Sequence, residues 1–219
     1  DIQDNKVEEQ IRRRLPMMLF SKVVIFAEGR TEENALHRFF ERRFGYPPEY
    51  LDVSFIRVEG SKNYKPFLKM AREFNLDWFI FSDGEKDTIE TVTTQLNSVF
   101  SDEKSFNWNE VMSRVFFIPN HMNYEHFIVA ECYDSVYESL LDFFGEDTFR
   151  KMLMNQKNED LKEKLAGMMN NFKGKPGATI TVVDAICDNN TVPPLIIKLL
   201  DKIEGRIGHE DFRKSEKDC

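Results

Sequence analysis

Cysteine is scarce in this sequence: Cys132, Cys187 and Cys219 are the only three, and none has CxxC spacing. That argues against a zinc site or a disulfide framework and implies a reducing compartment, taken here as the cytoplasm. No apolar run approaches the ~20 residues of a membrane-crossing helix, so a membrane span is not expected. The charged N-terminus also lacks the pattern of a signal peptide. The P-loop pattern GxxxxGK[ST] is absent, which excludes ATP binding by that route. Positive charge is in deficit, with 30 Lys and Arg against 38 Asp and Glu and a formal net charge of −8. A nucleic-acid partner would need metal ions, or another part of an assembly, to offset that repulsion. No stacking platform of interleaved basic and aromatic residues occurs. Histidine is sparse too, and the spacing of His121 and His126 is not that of a helical metal pair.

What remains is a chain able to form one good core, with 41% apolar residues and 20 phenylalanines in 219 positions. Residues 3–15 are a polar, mixed-charge stretch that reads as a helical lead-in. Leu19 to Ala27 is almost continuously apolar, as expected of a strand buried on both faces. Thr31 is placed to cap the next helix, whose apolar side includes Leu36, Phe39, Phe40 and Phe44. Strands are expected at Asp52–Val58, Asp77–Phe81 and Arg114–Ile118, with helices at Pro66–Phe74 and Asp87–Val99 between them. Alternation of this kind predicts an α/β fold with a parallel-rich sheet flanked by helices. Beyond Pro119 the pattern turns helical over 124–170, with breaks near Gly145 and Asn158. Residues 178–188 stay ambiguous, because their β-branched density favours a strand and their context a helix. Pro193-Pro194 opens a last helix to about Ile203, and the charged tail after it reads as mobile.

Two clusters carry the chemistry. Glu28-Gly29-Arg30-Thr31-Glu32 follows the run Val23-Val24-Ile25-Phe26, and Ser82-Asp83-Gly84-Glu85 follows Trp78-Phe79-Ile80-Phe81. Open α/β sheets bind ligands at the C-terminal ends of their strands. Glu28 and Glu32 lie four residues apart across a turn that opens a helix, and Asp83 and Glu85 flank one glycine. Carboxylates gathered in that place need neutralising, and an oxygen-only donor set suits Mg²⁺ or Mn²⁺ rather than zinc. Glycine at 29 and 84 would let the backbone approach a metal-bound phosphate. Acids after strands are also ordinary helix caps; it is the repetition of the pattern that favours a site.

The strand followed by Glu28-Gly29-x-Thr31-Glu32, a helix, and Phe81-Ser82-Asp83-Gly84-Glu85 resembles a TOPRIM domain, the catalytic fold of primases, topoisomerases and several nucleases. Leu19-Phe20-Ser21-Lys22-Val23-Val24 before the first motif, and Val58-Glu59-Gly60-Ser61-Lys62-Asn63-Tyr64 before a later helix, are most similar to the overcoming lysogenization defect (OLD) nucleases. The resemblance covers about residues 10–90. It implies a TOPRIM core over 19–120, preceded by the lead-in at 1–18. A helical extension over 121–208 would complete the active site, and 209–219 would be the tail. It implies two divalent ions held by Glu28, Glu32, Asp83 and Glu85, where Glu85 replaces the usual Asp. Glu125, in Asn123-Tyr124-Glu125, matches a further acidic motif, and Lys175, with Lys173 as rival, matches a catalytic lysine. The implied activity is metal-dependent cleavage of DNA, with Glu28 and Lys175 as catalytic residues. OLD nucleases usually carry an N-terminal ATPase domain. A chain starting at Asp1 without a P-loop is therefore expected to be the nuclease portion, joined to a homo-oligomer through that domain, with a role in defence against phage. The alternatives are a degenerate TOPRIM scaffold acting as an interaction module, or a primase- or topoisomerase-like activity.

Overall fold

Val23–Ala27 (β1) is built from β-branched and aromatic residues, and all five are buried. A strand apolar on both faces belongs in the middle of a parallel sheet with a layer on each side, and that is where it lies. In the computed structural model, which describes residues 2–102, 107–155, 160–170 and 176–208, four strands form one sheet. Val53–Arg57 (β2) and Asp77–Ser82 (β3) flank β1, Val115–Phe117 (β4) lies beyond β3, and every pairing is parallel.

Three helices make the crossovers: Arg30–Phe44 (α2), Tyr64–Glu73 (α3) and Lys86–Phe100 (α4), with Ile2–Leu19 (α1) preceding β1. The chain moves to one side of β1 to form β2 and then returns past it to form β3. Right-handed crossovers therefore place α2 on one face and α3 with α4 on the other. The pleat matches this division. Val23, Ile25 and Ala27 join a core with Leu36, Phe39 and Phe40 of α2. Val24 and Phe26 join one with Phe67, Leu68, Val92 and Leu96.

A short helix, Trp108–Met112 (α5), leads into β4. Then follow Tyr124–Glu131 (α6), Tyr133–Phe144 (α7), Glu146–Met154 (α8), Leu161–Asn170 (α9), Pro176–Asp188 (α10) and Pro194–Ile207 (α11). Their apolar faces extend the α2-side core from Tyr124 to Ile207. The ambiguous segment 178–188 is helical. Ala178, Thr179, Val182, Val183 and Ile186 are its buried residues, and packing of that stripe outweighs their modest helix propensity. Arg38 fixes α10 to α2 through a forked pair of bonds, its Nε donating to Asp184 Oδ1 at 2.8 Å and its Nη2 to Oδ2 at 3.0 Å.

Two local expectations are corrected. The first strand begins at Val23, because α1 runs on to Leu19. The N-cap of α2 is Gly29, with extended backbone, and Thr31 lies buried within the first turn. Glu32 and Glu33 in that turn, and Arg42 and Arg43 in the last, complement the helix dipole. Gly45 closes the helix at φ 77°, its N–H donating to Glu41 O.

Candidate active site

The strand order β2-β1-β3-β4 places the topological switch point between β1 and β3. Register pairs Ala27 with Phe81, so the two acidic motifs leave the sheet side by side. A cavity of about 660 Å³ opens there, and Glu28, Glu32, Asp83, Glu85 and Glu125 all line it. The structure thus brings together every carboxylate singled out in the sequence. Lys173 and Lys175 lie outside the described residues.

Glu28 leaves the end of β1 and is held at both oxygens. Ser82 Oγ donates to its Oε2 at 3.2 Å, and Ser61 N–H donates to its Oε1 at 3.1 Å. Its carbonyl accepts from Gly60 N–H at 3.0 Å. These contacts require a sharp turn at Glu59 and Gly60, whose φ values are 61° and 113°. The left-handed geometry costs a non-glycine residue about 1 kcal/mol or more, so Glu59 stores strain beside the site. Burial raises the Glu28 pKa above its usual value, and the charge of Glu85 adds to this. The bonds from Ser82 and Ser61 pull the other way.

Glu32, in the first turn of α2, is buried. Its carboxylate folds back over Gly29, where an added Cβ would come within 2.9 Å of Oε2. Asp83 Oδ1 accepts from Tyr124 N–H at 2.9 Å, so this carboxylate sits on the N-terminus of α6. Asn123 caps the same helix by accepting from His126 N–H, and that places the buried Glu125 in its first turn. Burial pushes the Asp83 carboxyl up to about 8, and the charges of Glu32, Glu28 and Glu125 push the same way. Four carboxylates therefore compete for one small region of low dielectric. Glu85 is the N-cap of α4 and stands exposed at the rim.

Gly84 does something other than admit a phosphate. A Cβ there would lie 1.6 Å from Ile118 O, and Gly84 N–H donates to Met122 O at 2.9 Å. The glycine lets the β4–α6 loop lie directly on the acidic loop, which delivers Asn123 and Glu125 to the cavity.

Arg30, Arg57, Glu59 and Asn170 also line the cavity, and sequence reading did not select them. Arg57 ends β2 and pairs with Glu59 at 2.5 Å and Glu33 at 3.7 Å. Its place at the C-terminal end of a strand was the one available signal. Asn170 comes from the end of α9 with none. His126 sits beside the site rather than in it, with Nδ1 2.6 Å from Asn123 Oδ1 and Nε2 3.1 Å from Glu163. Cys132 is no candidate nucleophile, because burial pushes its thiol up to about 12. Among the described residues, no three His, Cys, Asp or Glu side chains are already drawn into a coordination sphere. Nor is any helix among them long and apolar enough to cross a membrane.

Comparison with known proteins agrees with this geometry. Residues 19–84 match the family model for the overcoming lysogenization defect protein-like TOPRIM domain. Among solved structures, the C-terminal region of the Burkholderia pseudomallei OLD protein aligns with a TM-score of 0.61 at 15% identity, covering 86% of this chain and 100% of that one. The C-terminal region of the Xanthomonas campestris pv. campestris OLD protein aligns with a TM-score of 0.57 at 21% identity, covering 87% and 98% respectively. The curated proteins give no match. Residues 19–84 of this chain thus match an OLD-like TOPRIM domain, and the chain has the fold of the OLD C-terminal regions.

Proposed function

We propose that this chain is a divalent-metal-dependent endonuclease that hydrolyses DNA phosphodiester bonds by a two-metal mechanism. One observation carries the reading: Glu28, Glu32, Asp83, Glu85 and Glu125 line a single cavity at the switch point of the sheet. The donor set fits the ions. It is all oxygen, as Mg²⁺ and Mn²⁺ prefer. Burial, and after it the repulsion of Glu32, Glu28 and Glu125, holds the Asp83 carboxyl up at about 8, and bound positive charge relieves both. Glu28, Glu32 and Glu125 would hold one ion, and Asp83 with Glu85 the other, after side-chain adjustment at the cavity wall.

Ions so bound supply Lewis acidity, acidifying a water and offsetting charge on the leaving oxygen. The chain's own residues do the rest. Ser82 Oγ and Ser61 N–H orient Glu28, and Tyr124 N–H orients Asp83. Arg30 and Arg57 stand on the wall that meets the incoming phosphate, Arg57 already paired with Glu59 and Glu33. Lys175, carried over from the family pattern, would neutralise the non-bridging oxygens. DNA as partner, an N-terminal ATPase domain, oligomerisation through it, a cytoplasmic location and a role against phage belong to the same proposal. So does the division into a lead-in (1–18), a catalytic core (19–120), a helical extension (121–208) and a tail (209–219).

A second reading, a scaffold without catalysis, is favoured by the exposure of Glu85 and by the absence of a ready coordination sphere among the described residues. A plasmid-nicking assay in Mg²⁺, Mn²⁺, Ca²⁺ and EDTA, with Asp83→Ala alongside, separates the two. Nicking in Mg²⁺ or Mn²⁺ that is lost in EDTA and in the variant supports the nuclease. Intact DNA in every metal, with no metal binding by calorimetry, refutes it.

A further inference from the structure

A second cavity, of about 460 Å³, adjoins the first, and Glu85 and Asn123 line both. Its apolar lining is Met122, Val129 and Ala130, and its polar lining includes His121, His126 and Lys162. We infer that this cavity holds one unstacked nucleobase next to the scissile phosphate, and that the chain acts on single-stranded or locally unpaired DNA. The inference rests on the nuclease reading of the neighbouring site.

Three observations support it. The two cavities share a wall, so a strand whose phosphate enters the first presents its next nucleotide at the second. The lining also offers the apolar surface and the polar groups that the faces and edges of a base need, with the carboxylates Glu85 and Glu163 among them. Proteins that take bases out of a stack supply apolar and aromatic or imidazole surfaces together with cationic groups. Here Lys162, which lies 5.7 Å over the Tyr133 ring, is the cation, and His121 is an exposed imidazole.

The lip of the cavity is, lastly, pre-set. Asn120 and His121 are consecutive non-glycine residues in the left-handed region, at φ 59° and 57°. They are clamped there by the bond from Gly84 N–H to Met122 O, and His121 Nδ1 lies 3.3 Å from Gly84 O. Clamping the β4–α6 loop on the acidic loop fixes His121 relative to the reacting phosphate.

The test fills the cavity. Ala130 is exposed on α6, so Ala130→Trp occupies the space without disturbing the core. Wild type and variant, both checked by circular dichroism, are assayed in Mn²⁺ on a single-stranded oligonucleotide and on bis(p-nitrophenyl) phosphate, which has no base. The expected result is a loss on the order of tenfold in kcat/KM for the oligonucleotide alone, the scale of one base stack. An abasic residue flanking the cut should cost the wild type a similar factor and the variant nothing further. If Ala130→Trp does not fold, His121→Ala takes its place in the same comparison. Equal effects on both substrates, or none on either, overturn the base site while leaving the nuclease reading standing. A wild type inert toward both substrates overturns the nuclease reading, and the base site with it.

Discussion

Replacing Asp83 with asparagine should make the metal-free protein more stable at pH 8. The Asp83 carboxyl is half-buried beside Glu32, Glu28 and Glu125, and its pKa is raised by burial and by their charges from the usual 3.8 to about 8. Between those values the folded chain keeps a proton that the unfolded chain has released. Stability therefore falls as pH rises through that window: the contribution is fully present below the unfolded value and lost above the folded one. A span of about four pH units corresponds to roughly 5 kcal/mol, and solvent response at an open cavity reduces it to about 2–3 kcal/mol. Asparagine removes the charge yet keeps an oxygen to accept from Tyr124 N–H. In EDTA at pH 8, Asp83→Asn should melt about 5–10 °C above the wild type for a domain of this size. The gain should shrink on acidification and be gone below about pH 4. Mg²⁺ at about a thousand times its Kd should reverse the ranking, since a ligand there adds about 4.1 kcal/mol and only the wild type holds it fully. An Asp83→Asn protein equal to or less stable than wild type at pH 8 in EDTA would refute the reasoning, because the carboxylate would then be a net stabiliser.

Three further outcomes are expected. Glu28→Gln keeps an oxygen to accept from Ser61 N–H, and its amide can donate to Ser82 Oγ in place of the other bond, so its melting curve should stay within a few degrees of wild type while DNA cleavage falls more than about 100-fold; nicking at wild-type rate would remove Glu28 from the mechanism. Gly84→Ala forces a Cβ to within 1.6 Å of the Ile118 carbonyl, and should destabilise by about 3 kcal/mol or more in urea titrations; a neutral result would show that the β4–α6 loop does not rest on the acidic loop. Arg38→Ala leaves Asp184 of α10 without its forked partner, and should cost about 1 kcal/mol with no change in the pH dependence of cleavage.

The strands, the crossover helices and the acidic motifs were legible in the sequence because each is encoded within a short window. Val23–Phe26 and Trp78–Phe81 are apolar at consecutive positions, which requires a layer on both sides of the sheet wherever they pack. A carboxylate one residue past such a strand has to emerge at its C-terminal edge, so Glu28 and Asp83 could be placed without coordinates. Other features depend on neighbours distant in the chain. The helical state of 178–188 is decided by α2, through Arg38 and Asp184, where local propensity was divided. The N-cap at Gly29 and the helix that runs on to Leu19 are settled by how the flanking elements meet. Gly84 reads as a flexible turn until Ile118 is seen against it. Asn170, Arg57 and the second cavity exist only because α9, β2 and α6 converge on one edge of the sheet. Periodicity and motif spacing are local quantities and survive in a linear string. A cavity is a relation among residues more than a hundred positions apart, Glu28 and Asn170 here, and only the folded chain defines it.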